Sequence, residues 1–439
     1  MTSIALVVLD TLRKDAFDEH FDWLEGVRFE RAYSTANWTV PAHGSLFTGL
    51  YPSETGVHAK NMYLDVESPV LTELLRNEGY ETRAFSANTN VTSHFDFDRG
   101  FSDFRVPDRF EHMNDDSVFD WREYSRTTET TGLEKYLGGI KRCVSEDVDT
   151  LRSIKTGLEL KLSSGDGVEY GGAEEAMAQF EDESFGEDEF LFLNLMETHE
   201  PYRVPESYAS VPEPEMTDAV GDLQLGGENG QQVVAAYEDC ARYLSDIYAE
   251  LYDTVLAEFD YVITLSDHGE LLGEYGGWGH EYGVYPELTH VPLIISGPEL
   301  DDETRTEAVS LVDVYRTILE LVGINDSEGR GENLLEDIEG DRLTEYRGLT
   351  SWSEGRLRDS FDDEIVDTYD TVRRGIATDE GYCFETRDGV EIDSDEILTQ
   401  EFCRDSISDF VAKLDERSVD GQAEVPEEVK DRLEDLGYA

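Results

Sequence analysis

The chain has 439 residues and is strongly acidic, with 100 Asp and Glu against 35 Lys and Arg, which gives a formal net charge of −65. A hydrophobic fraction of 39% with 22 Tyr and 20 Phe is enough to build a core, so the composition excludes a disordered acidic chain. The charge also excludes nucleic acid and anionic membranes as global partners, because the mean field repels phosphate.

Short apolar runs that end in polar residues predict buried strands. They lie at residues 4–10, 190–199, 261–268 and 291–296. Continuous hydrophobicity of this kind is typical of strands buried on both faces, as in a parallel sheet covered by helices. Helical periodicity separates the runs, at residues 68–79, 233–256 and 310–323. The alternation of strands and helices predicts an α/β sandwich.

The distribution of these elements predicts two parts of unequal size. We expect a larger α/β domain over residues 1–340 and a smaller C-terminal α+β subdomain over residues 341–439, where the strands are shorter and more polar. Helical patterns follow those strands at 405–416 and 426–436. Residues 105–189 interrupt the alternation with polar, Gly-containing sequence, which we interpret as an insertion near the entrance of the site.

Within this insertion, residues 135–161 stand out against the acidic background. They contain half of the eight lysines of the chain and carry a small net positive charge. Apolar residues recur at helical spacing, at Leu151, Ile154, Leu158 and Leu162, which predicts an amphipathic helix with basic flanks. One hypothesis is contact with an anionic substrate, partner or membrane surface. An ordinary surface helix with salt bridges is the alternative.

Cysteine usage and the N-terminus predict the compartment. The four cysteines, at positions 143, 240, 383 and 403, form no CxxC pair, which favours reduced buried thiols over disulfides. The apolar run at 4–9 is too short to span a membrane and lacks a basic flank and a cleavage site. We therefore expect a cytoplasmic protein.

The acidic residues run along nearly the whole chain, and only 8 of its 35 basic residues are Lys. Such a surface suits solution in molar salt, where the self-repulsion of the carboxylates is screened. We predict that the protein comes from a salt-accumulating halophile. The sequence leaves the oligomeric state open.

Polar residues at the ends of three apolar runs predict a metal site. Asp10 ends the first run, His199 the second, and Asp267 with His268 the third. In open α/β sheets, ligands bind beyond the carboxyl ends of the strands, so these side chains should meet at one edge. Their oxygen and nitrogen atoms suit a divalent cation. Each residue alone could instead cap a strand or a following helix.

The stretch 37–49 predicts an anion site at a helix start. Pro41 suits the first turn of a helix, which places Thr39 at or just before its N-terminus. Free N–H groups there favour a tetrahedral anion beside the Thr39 hydroxyl. Coordination by the same cation would lower the pKa of this hydroxyl and activate it as a nucleophile. A plain N-cap is the alternative for Thr39.

Two further histidines follow the third run. His280 lies in a Gly-rich loop, from which it could approach a ligand and donate a proton or a hydrogen bond. His290 directly precedes the apolar stretch at 291–295, so we interpret it as a packing residue.

Ordered motifs from residue 7 to the C-terminus carry a resemblance to a known family. They include VVLDTLRKD (7–15), NWTVPAHGSLFTGLYPSETGVH (37–58), METHEPY (196–202), TLSDHGELLGEYG (264–276) and RLEDLGYA (432–439). In this order they resemble the sulfatase branch of the alkaline-phosphatase superfamily. The resemblance implies a sandwich with a mostly parallel sheet between helices and a metal-dependent hydrolase of sulfuric or phosphoric esters.

The resemblance also implies roles for individual residues. Four would hold one or two divalent cations, of calcium, magnesium, manganese or zinc: Asp10, Thr39, Asp267 and His268. Thr39 stands at the position of the nucleophile. His199 and His280 would contact the sulfuryl or phosphoryl oxygens or protonate the leaving group. His43 and Asn88 would bind the substrate, expected to be a small-molecule, glycan-linked or lipid-linked ester.

The chain departs from the family at its nucleophile. Typical sulfatases carry Cys or Ser in a Cys/Ser-x-Pro-x-Arg motif that is converted to formylglycine, whereas this chain has Thr39 and, in place of the Arg, His43. Oxidation of the secondary alcohol of Thr would give a ketone, so that aldehyde cannot form. Thr11 replaces the second Asp of the usual pair. Phosphotransferase or phosphodiesterase chemistry and a non-catalytic binding protein therefore stay open as alternatives.

Overall fold

The structure is a computed structural model. It describes residues 2–107, 117–119, 121, 124, 128, 132–145, 148–163, 171–181, 183–215, 219–227, 230–324, 328–394 and 398–419. The helix expected at 426–436 and the motif at 432–439 lie outside the described residues. No helix of the described part of the chain combines the length and the apolar character needed to cross a membrane.

The strands and helices alternate along most of the chain. The strands are β1 (Ile4–Leu9), β2 (Val27–Tyr33), β3 (Glu81–Ser86), β4 (Asp103–Arg105), β5 (Glu189–Leu195), β6 (Ala219–Val220), β7 (Leu223–Gln224), β8 (Tyr261–Leu265), β9 (Leu271–Leu272), β10 (Trp278–Gly279), β11 (His290–Val291), β12 (Leu293–Ser296), β13 (Glu303–Ser310), β14 (Arg342–Tyr346), β15 (Arg373–Thr378), β16 (Gly381–Thr386) and β17 (Gly389–Asp393). The α-helices are α1 (Lys14–His20), α2 (Thr39–Thr48), α3 (Pro52–Thr55), α4 (Leu71–Asn77), α5 (Gly132–Ser145), α6 (Thr150–Ser163), α7 (Ala173–Phe180), α8 (Gly230–Glu258), α9 (Pro286–Thr289), α10 (Leu311–Leu321), α11 (Ser351–Ser360), α12 (Asp363–Tyr369) and α13 (Gln400–Val411).

Within the described residues, the main sheet has nine strands in the order β11-β2-β12-β8-β1-β5-β3-β4, with β13 paired to β2. Strand β1 lies at its centre, parallel to both β5 and β8, and β3 continues the parallel part. Strands β11 and β12 run antiparallel to β2, which makes the sheet mixed but mostly parallel. The prediction that the first three apolar runs form buried strands is confirmed.

Helices cover both faces of this sheet, and strand β1 shows why its sequence is continuously apolar. Its side chains at positions 4, 6 and 8 join an apolar core shared with α2, α4 and α10. Those at positions 5, 7 and 9 join a second core, shared with α1 and α8. Because successive side chains of a strand point to opposite faces, both sets are buried. The predicted α/β sandwich is confirmed.

A second sheet lies in the C-terminal part of the chain. Strands β14 to β17 form an antiparallel meander, as the predicted α+β subdomain requires. Aromatic residues join it to the main body through a shared apolar cluster that includes Tyr33, Tyr282, Tyr346 and Tyr382. The division at residue 340 and the insertion at 105–189 stay predictions.

The prediction of reduced thiols is wrong for two of the four cysteines. Cys383 of β16 and Cys403 of α13 form a disulfide, with 2.13 Å between the sulfurs and 5.6 Å between the Cα atoms. The helix packs back onto the small sheet and brings together two residues 20 positions apart. Sequence spacing does not report this proximity. Cys143 and Cys240 are buried and belong to no disulfide within the described residues, as expected.

The basic stretch at 135–161 lies in α5 and α6. Ile154 is half-buried and packs against the cluster of Phe119, Trp121, Tyr124 and Cys143. Leu151 is 83% exposed, so it does not belong to the packed face that the helical spacing predicts. It lies in the first turn of α6. Contact with an anionic surface stays a prediction.

Candidate active site

Polar side chains from separate strands meet at one edge of the main sheet. Asp10 follows β1, Asn88 follows β3, and Asp267 with His268 follows β8. Because β8 and β1 are parallel neighbours and β3 runs parallel to them beyond β5, their carboxyl ends place the side chains at one edge, as the sequence predicts. Thr39 reaches the same edge from the start of α2. The edge therefore collects carboxylates, imidazole, amide and hydroxyl groups in one buried place.

Three of these residues form a cluster that could hold a metal ion. Asp10, Asp267 and His268 each offer one ligand atom, all within 4.8 Å of one another, and all three side chains are fully buried. His268 Nε2 lies 3.7 Å from Asp10 Oδ1 and 3.6 Å from Asp267 Oδ2. Within the described part of the chain, Asp267 Oδ2 has no hydrogen-bond partner, although a buried carboxylate oxygen is costly to leave unpaired. A divalent cation fits this donor set.

The electrostatics of the two carboxylates also fit a cation. Burial by itself raises the pKa of Asp10, but the fields of His268 and His199 and the hydrogen bond from Asn88 lower it on balance. Burial, followed by the neighbouring charge of Asp10, raises the pKa of Asp267 well above its ordinary value. Two buried carboxylates so close together resist joint ionisation, and a bound cation removes that conflict.

Thr39 presents its hydroxyl to this cluster. Its Oγ1 lies 3.2 Å from His268 Nε2 and accepts a hydrogen bond from Asn88 Nδ2 at 3.3 Å. It is the first residue of α2, and the residue at the N-cap position is Trp38, whose side chain makes no capping bond. The Thr39 hydroxyl is thus directed at the cluster, and the alternative of a plain N-cap does not describe it.

Neighbours that the sequence did not single out complete the surroundings of Asp10. Asn194 Nδ2 donates to Asp10 Oδ2 at 3.3 Å, and Thr198 Oγ1 donates to the Asp10 carbonyl at 2.7 Å. Thr11, where the resemblance would place a second Asp, donates from Oγ1 to Asp10 Oδ1 at 2.9 Å. Thr11 has a φ of 65°, an uncommon backbone conformation for a β-branched residue. A hydroxyl therefore stands where a carboxylate would add charge.

His43 and Asn88, expected to bind substrate, have partners within the protein. His43 is fully buried, its Nδ1 lies 2.9 Å from the Thr39 carbonyl, and its Nε2 lies 3.2 Å from Asn194 Nδ2. Burial lowers the pKa of His43 to about 4, so the ring is neutral at neutral pH. Asn88 Nδ2 donates to Asp10 Oδ2 at 2.8 Å. Their contact with substrate stays a prediction.

His199 and His280 lie beside the cluster. The ring centroid of His280 is 4.5 Å from that of His268 and 5.1 Å from that of His199. His199 Nδ1 lies 2.7 Å from the Glu200 carbonyl oxygen. The structure therefore brings all eight predicted site residues to one edge. His290 instead stacks on Tyr33 at 5.1 Å, in the packing role expected for it.

Glu270 is a site residue that the sequence analysis missed. It is fully buried, and its Oε1 lies 3.0 Å from His280 Nδ1. Burial raises the pKa of Glu270 to about 7, and burial, then the neighbouring His268 and His199, hold the pKa of His280 well below its ordinary value. Burial thus disfavours the charged form of both groups. One feature of the sequence could have identified Glu270: it is a carboxylate between a glycine and two leucines, just after the predicted metal ligands Asp267 and His268.

Known proteins resemble this chain over most of its length. A family model described as "Sulfatase" matches residues 19–324. An uncharacterized sulfatase, YidJ, of Escherichia coli is 22% identical over 335 residues, which cover 71% of this chain and 64% of that protein. Arylsulfatase K of Xenopus laevis is 24% identical over 325 residues, covering 68% and 57%. The chain thus spans less than two thirds of the length of these relatives.

A shorter match is to a protein named for a different activity. The low-salt glycan biosynthesis sulfotransferase Agl7 of Haloferax volcanii is 38% identical over 91 residues, which cover 20% of this chain and 22% of that protein. Among solved structures, the phosphonate monoester hydrolase of Agrobacterium radiobacter covers 100% of this chain and 94% of its own, with a TM-score of 0.59 and 16% identity. BT1596, a 2-O GAG sulfatase, covers 99% and 90%, with a TM-score of 0.59 and 15% identity. At these identities the structural likeness concerns the fold.

Proposed function

This chain belongs to the sulfatase family, and from that premise we propose that it hydrolyses sulfuric or phosphoric esters with Thr39 as nucleophile. The observation that carries the proposal is the position of Thr39 Oγ1, 3.2 Å from His268 Nε2 and at the start of a buried helix. Asp10, Asp267 and His268 would hold a divalent cation. Oxygen ligands favour calcium, magnesium or manganese, and the imidazole of His268 also admits zinc.

The residues of the chain divide the remaining work. When bound, the cation would polarise an ester oxygen and lower the pKa of a neighbouring hydroxyl. Asn88 holds Thr39 Oγ1 by a hydrogen bond, which fixes the hydroxyl before attack. The free N–H groups at the start of α2 would stabilise the equatorial oxygens of the transferred group. His199 and His280 are placed to contact these oxygens or to give a proton to the leaving alcohol.

The identity of residue 39 bears on the class of ester. Thr39 cannot become formylglycine, so the hydroxyl itself would form the covalent ester with sulfur or phosphorus. Unmodified hydroxyl nucleophiles suit phosphoryl transfer, and we place phosphoric esters beside sulfuric esters as substrates for that reason. The alcohol part would be a small molecule, a glycan or a lipid-linked group.

The test is a paired hydrolysis assay in molar KCl on protein loaded with Mn²⁺ or, separately, Zn²⁺. An aryl sulfate, an aryl phosphate monoester and an aryl phosphate diester are compared. We expect turnover of at least one, lost in Thr39→Ala and retained in Thr39→Ser. Thr48→Ala is the matched control, because Thr48 lies at the other end of the same helix, where its hydroxyl donates to the Gly44 carbonyl and accepts the Leu50 N–H. Activity retained in Thr39→Ala would exclude the covalent route.

Transfer to an acceptor alcohol is a second candidate. The 91-residue match to a protein named as a sulfotransferase favours it. In this reaction the covalent Thr39 ester would react with a sugar or glycerol hydroxyl in place of water. Adding these acceptors to the assay should then raise product release and yield an acceptor ester detectable by mass spectrometry. A protein that binds the metal and turns over no ester would instead be the non-catalytic binding relative.

A further inference from the structure

Glu270 is a buried carboxylate that the proposed chemistry has not used. Both of its oxygens have partners: Tyr202 OH donates to Oε2 at 2.8 Å, and His280 Nδ1 lies 3.0 Å from Oε1. The side chain is completely buried, while that of His280 keeps a relative exposure of 8%. An ionisable group held in this way needs a reason, because burying it costs free energy unless its partners compensate.

A short hairpin explains how these two residues meet. Strands β9 and β10 pair antiparallel with Gly279 opposite Leu271. Continued by one residue, this register places His280 opposite Glu270, so the two side chains are cross-strand neighbours. Asn37 Nδ2 donates to the His280 carbonyl at 2.7 Å and fixes its backbone from the other side. Residue 280 is therefore held at two points: its backbone by Asn37 and its ring nitrogen Nδ1 by Glu270.

The consequence concerns which nitrogen of His280 faces the reaction. With Nδ1 bonded to Glu270, Nε2 is the nitrogen left for a ligand. The ring lies against those of His268 and His199, at centroid distances of 4.5 Å and 5.1 Å. We infer that Glu270, supported by Tyr202, is a positioning residue that orients His280 so that Nε2 passes a proton to the leaving oxygen. This inference rests on the proposed function.

In the first half, Thr39 Oγ1 bonds to sulfur or phosphorus, and its proton moves to His280 Nε2. The bond to the ester oxygen breaks, and its electron pair stays on that oxygen, which takes the proton from Nε2. In the second half, water bonds to the same central atom and gives one proton to Nε2. Thr39 Oγ1 then leaves with its electron pair and takes that proton back. Glu270 contacts neither the substrate nor the central atom, so its effect passes through His280.

The experiment measures how a loss depends on the leaving group. Aryl esters of the class that turns over are compared, from 4-nitrophenyl to phenyl, on Mn²⁺-loaded protein. In Glu270→Gln we expect kcat to fall less than about tenfold for 4-nitrophenyl and by on the order of 10²-fold for phenyl, whose oxygen needs the proton more. KM and Mn²⁺ affinity should stay unchanged, and Tyr202→Phe should shift kcat in the same direction by less.

Two controls separate orientation from folding. Glu189→Gln removes another buried carboxylate, at the opposite end of β5, and should lower kcat equally, if at all, along the ester series. The double variant Glu270→Gln/His280→Gln should lose no more than His280→Gln alone, since the two residues act as one unit. An equal loss across the series in Glu270→Gln, or additive losses in the double variant, would overturn the inference.

A measurement that needs no turnover distinguishes failure of the positioning role of Glu270 from failure of the proposed ester hydrolysis. A histidine-selective ¹⁵N spectrum of the Mg²⁺-loaded protein, assigned through His280→Gln, reports the protonated nitrogen of His280. We expect that signal to move in Glu270→Gln and to stay in Glu189→Gln. An unmoved signal rejects the positioning role even if the esters turn over. Inactivity of the wild type on every ester, with the signal moving as expected, rejects the proposed function alone.

Discussion

Glu270 and His280 face each other across the β9–β10 hairpin, with 3.0 Å between Glu270 Oε1 and His280 Nδ1. Glu270 also follows His268 by two positions, so one short segment carries both a residue of the cation cluster and the partner of His280. The orientation of the proton-bearing ring and the geometry of the cluster therefore depend on the same loop. This linkage gives the region around residues 266–280 a central place in the activity we propose.

Removing the cation should destabilise the protein. A metal that binds only the folded state at 100 times its Kd adds about 2.7 kcal/mol to the free energy of unfolding. We expect Mn²⁺ to raise the Tm of the chelator-treated wild type and to leave the Tm of Asp267→Asn unchanged. Asp246→Asn is the control, since this exposed carboxylate bonds Tyr208 away from the cluster. A Tm of the wild type that ignores divalent cations would contradict the site.

Asn88→Ala should lower kcat more than it raises KM. The amide donates to Asp10 at 2.8 Å and to Thr39 at 3.3 Å, so its loss frees the hydroxyl that must attack. Loss of one such positioned donor typically costs on the order of 10²-fold in kcat. Steady-state kinetics with the active ester decide the matter, with Tm as a check on folding. A rise in KM at constant kcat would instead support the substrate-binding role predicted for Asn88.

His58 should make the protein less stable in mild acid. Burial first, then the nearby cations Arg347 and Lys60, lower the pKa of His58 to about 4. Above pH 6.5 the ring is neutral in both states, whereas between pH 6.5 and 4 only the unfolded chain takes up the proton. Stability from this group is thus present above pH 6.5 and lost as the pH falls towards 4.

The His58→Asn variant isolates this contribution. His58 Nδ1 accepts the Lys60 N–H at 3.2 Å, and an Asn oxygen can accept the same bond without titrating. Between pH 7.5 and 4.5 the wild type should lose about 2 kcal/mol more unfolding free energy than the variant. Urea unfolding at the two pH values measures the difference. Equal losses in both proteins would show that His58 is not the responsible group.

The Cys383–Cys403 disulfide should stabilise the C-terminal part. The bond joins residues 20 positions apart, and closing a loop of this length lowers the entropy of the unfolded chain. The free energy of unfolding of the double variant Cys383→Ser/Cys403→Ser should therefore be about 3 kcal/mol lower than that of the wild type. Urea unfolding with and without reductant measures this. Thiol titration of the unreduced, unfolded chain is the direct control, and four reactive thiols would contradict the bond.

The formal charge of −65 should make folding depend on salt. The Debye length falls from about 10 Å at 0.1 M to about 3 Å at 1 M, so repulsion between surface carboxylates weakens strongly over that range. We expect Tm to rise with KCl, with most of the gain below 1 M, as the proposed halophilic origin requires. Scanning calorimetry over a KCl series tests this, and a flat response would argue against that origin.

Much of the site could be predicted from the sequence because it lies at strand ends. Asp10, Asp267 and His268 each follow a continuous apolar run, and the carboxyl ends of parallel strands meet at one edge. Thr39 could be placed because Pro41 marks a helix start. These are local signals combined with one general rule of sheet topology, and the α/β sandwich follows from the same runs.

What only the tertiary structure decided depends on contacts that leave no local signal. Hairpin register puts Glu270 against His280, and the packing of α13 on the small sheet joins Cys383 to Cys403. The depth of α2 in the core gives His43 hydrogen-bond partners within the protein. Composition and periodicity report which face of an element is buried, whereas partners across elements depend on how those faces come together in three dimensions.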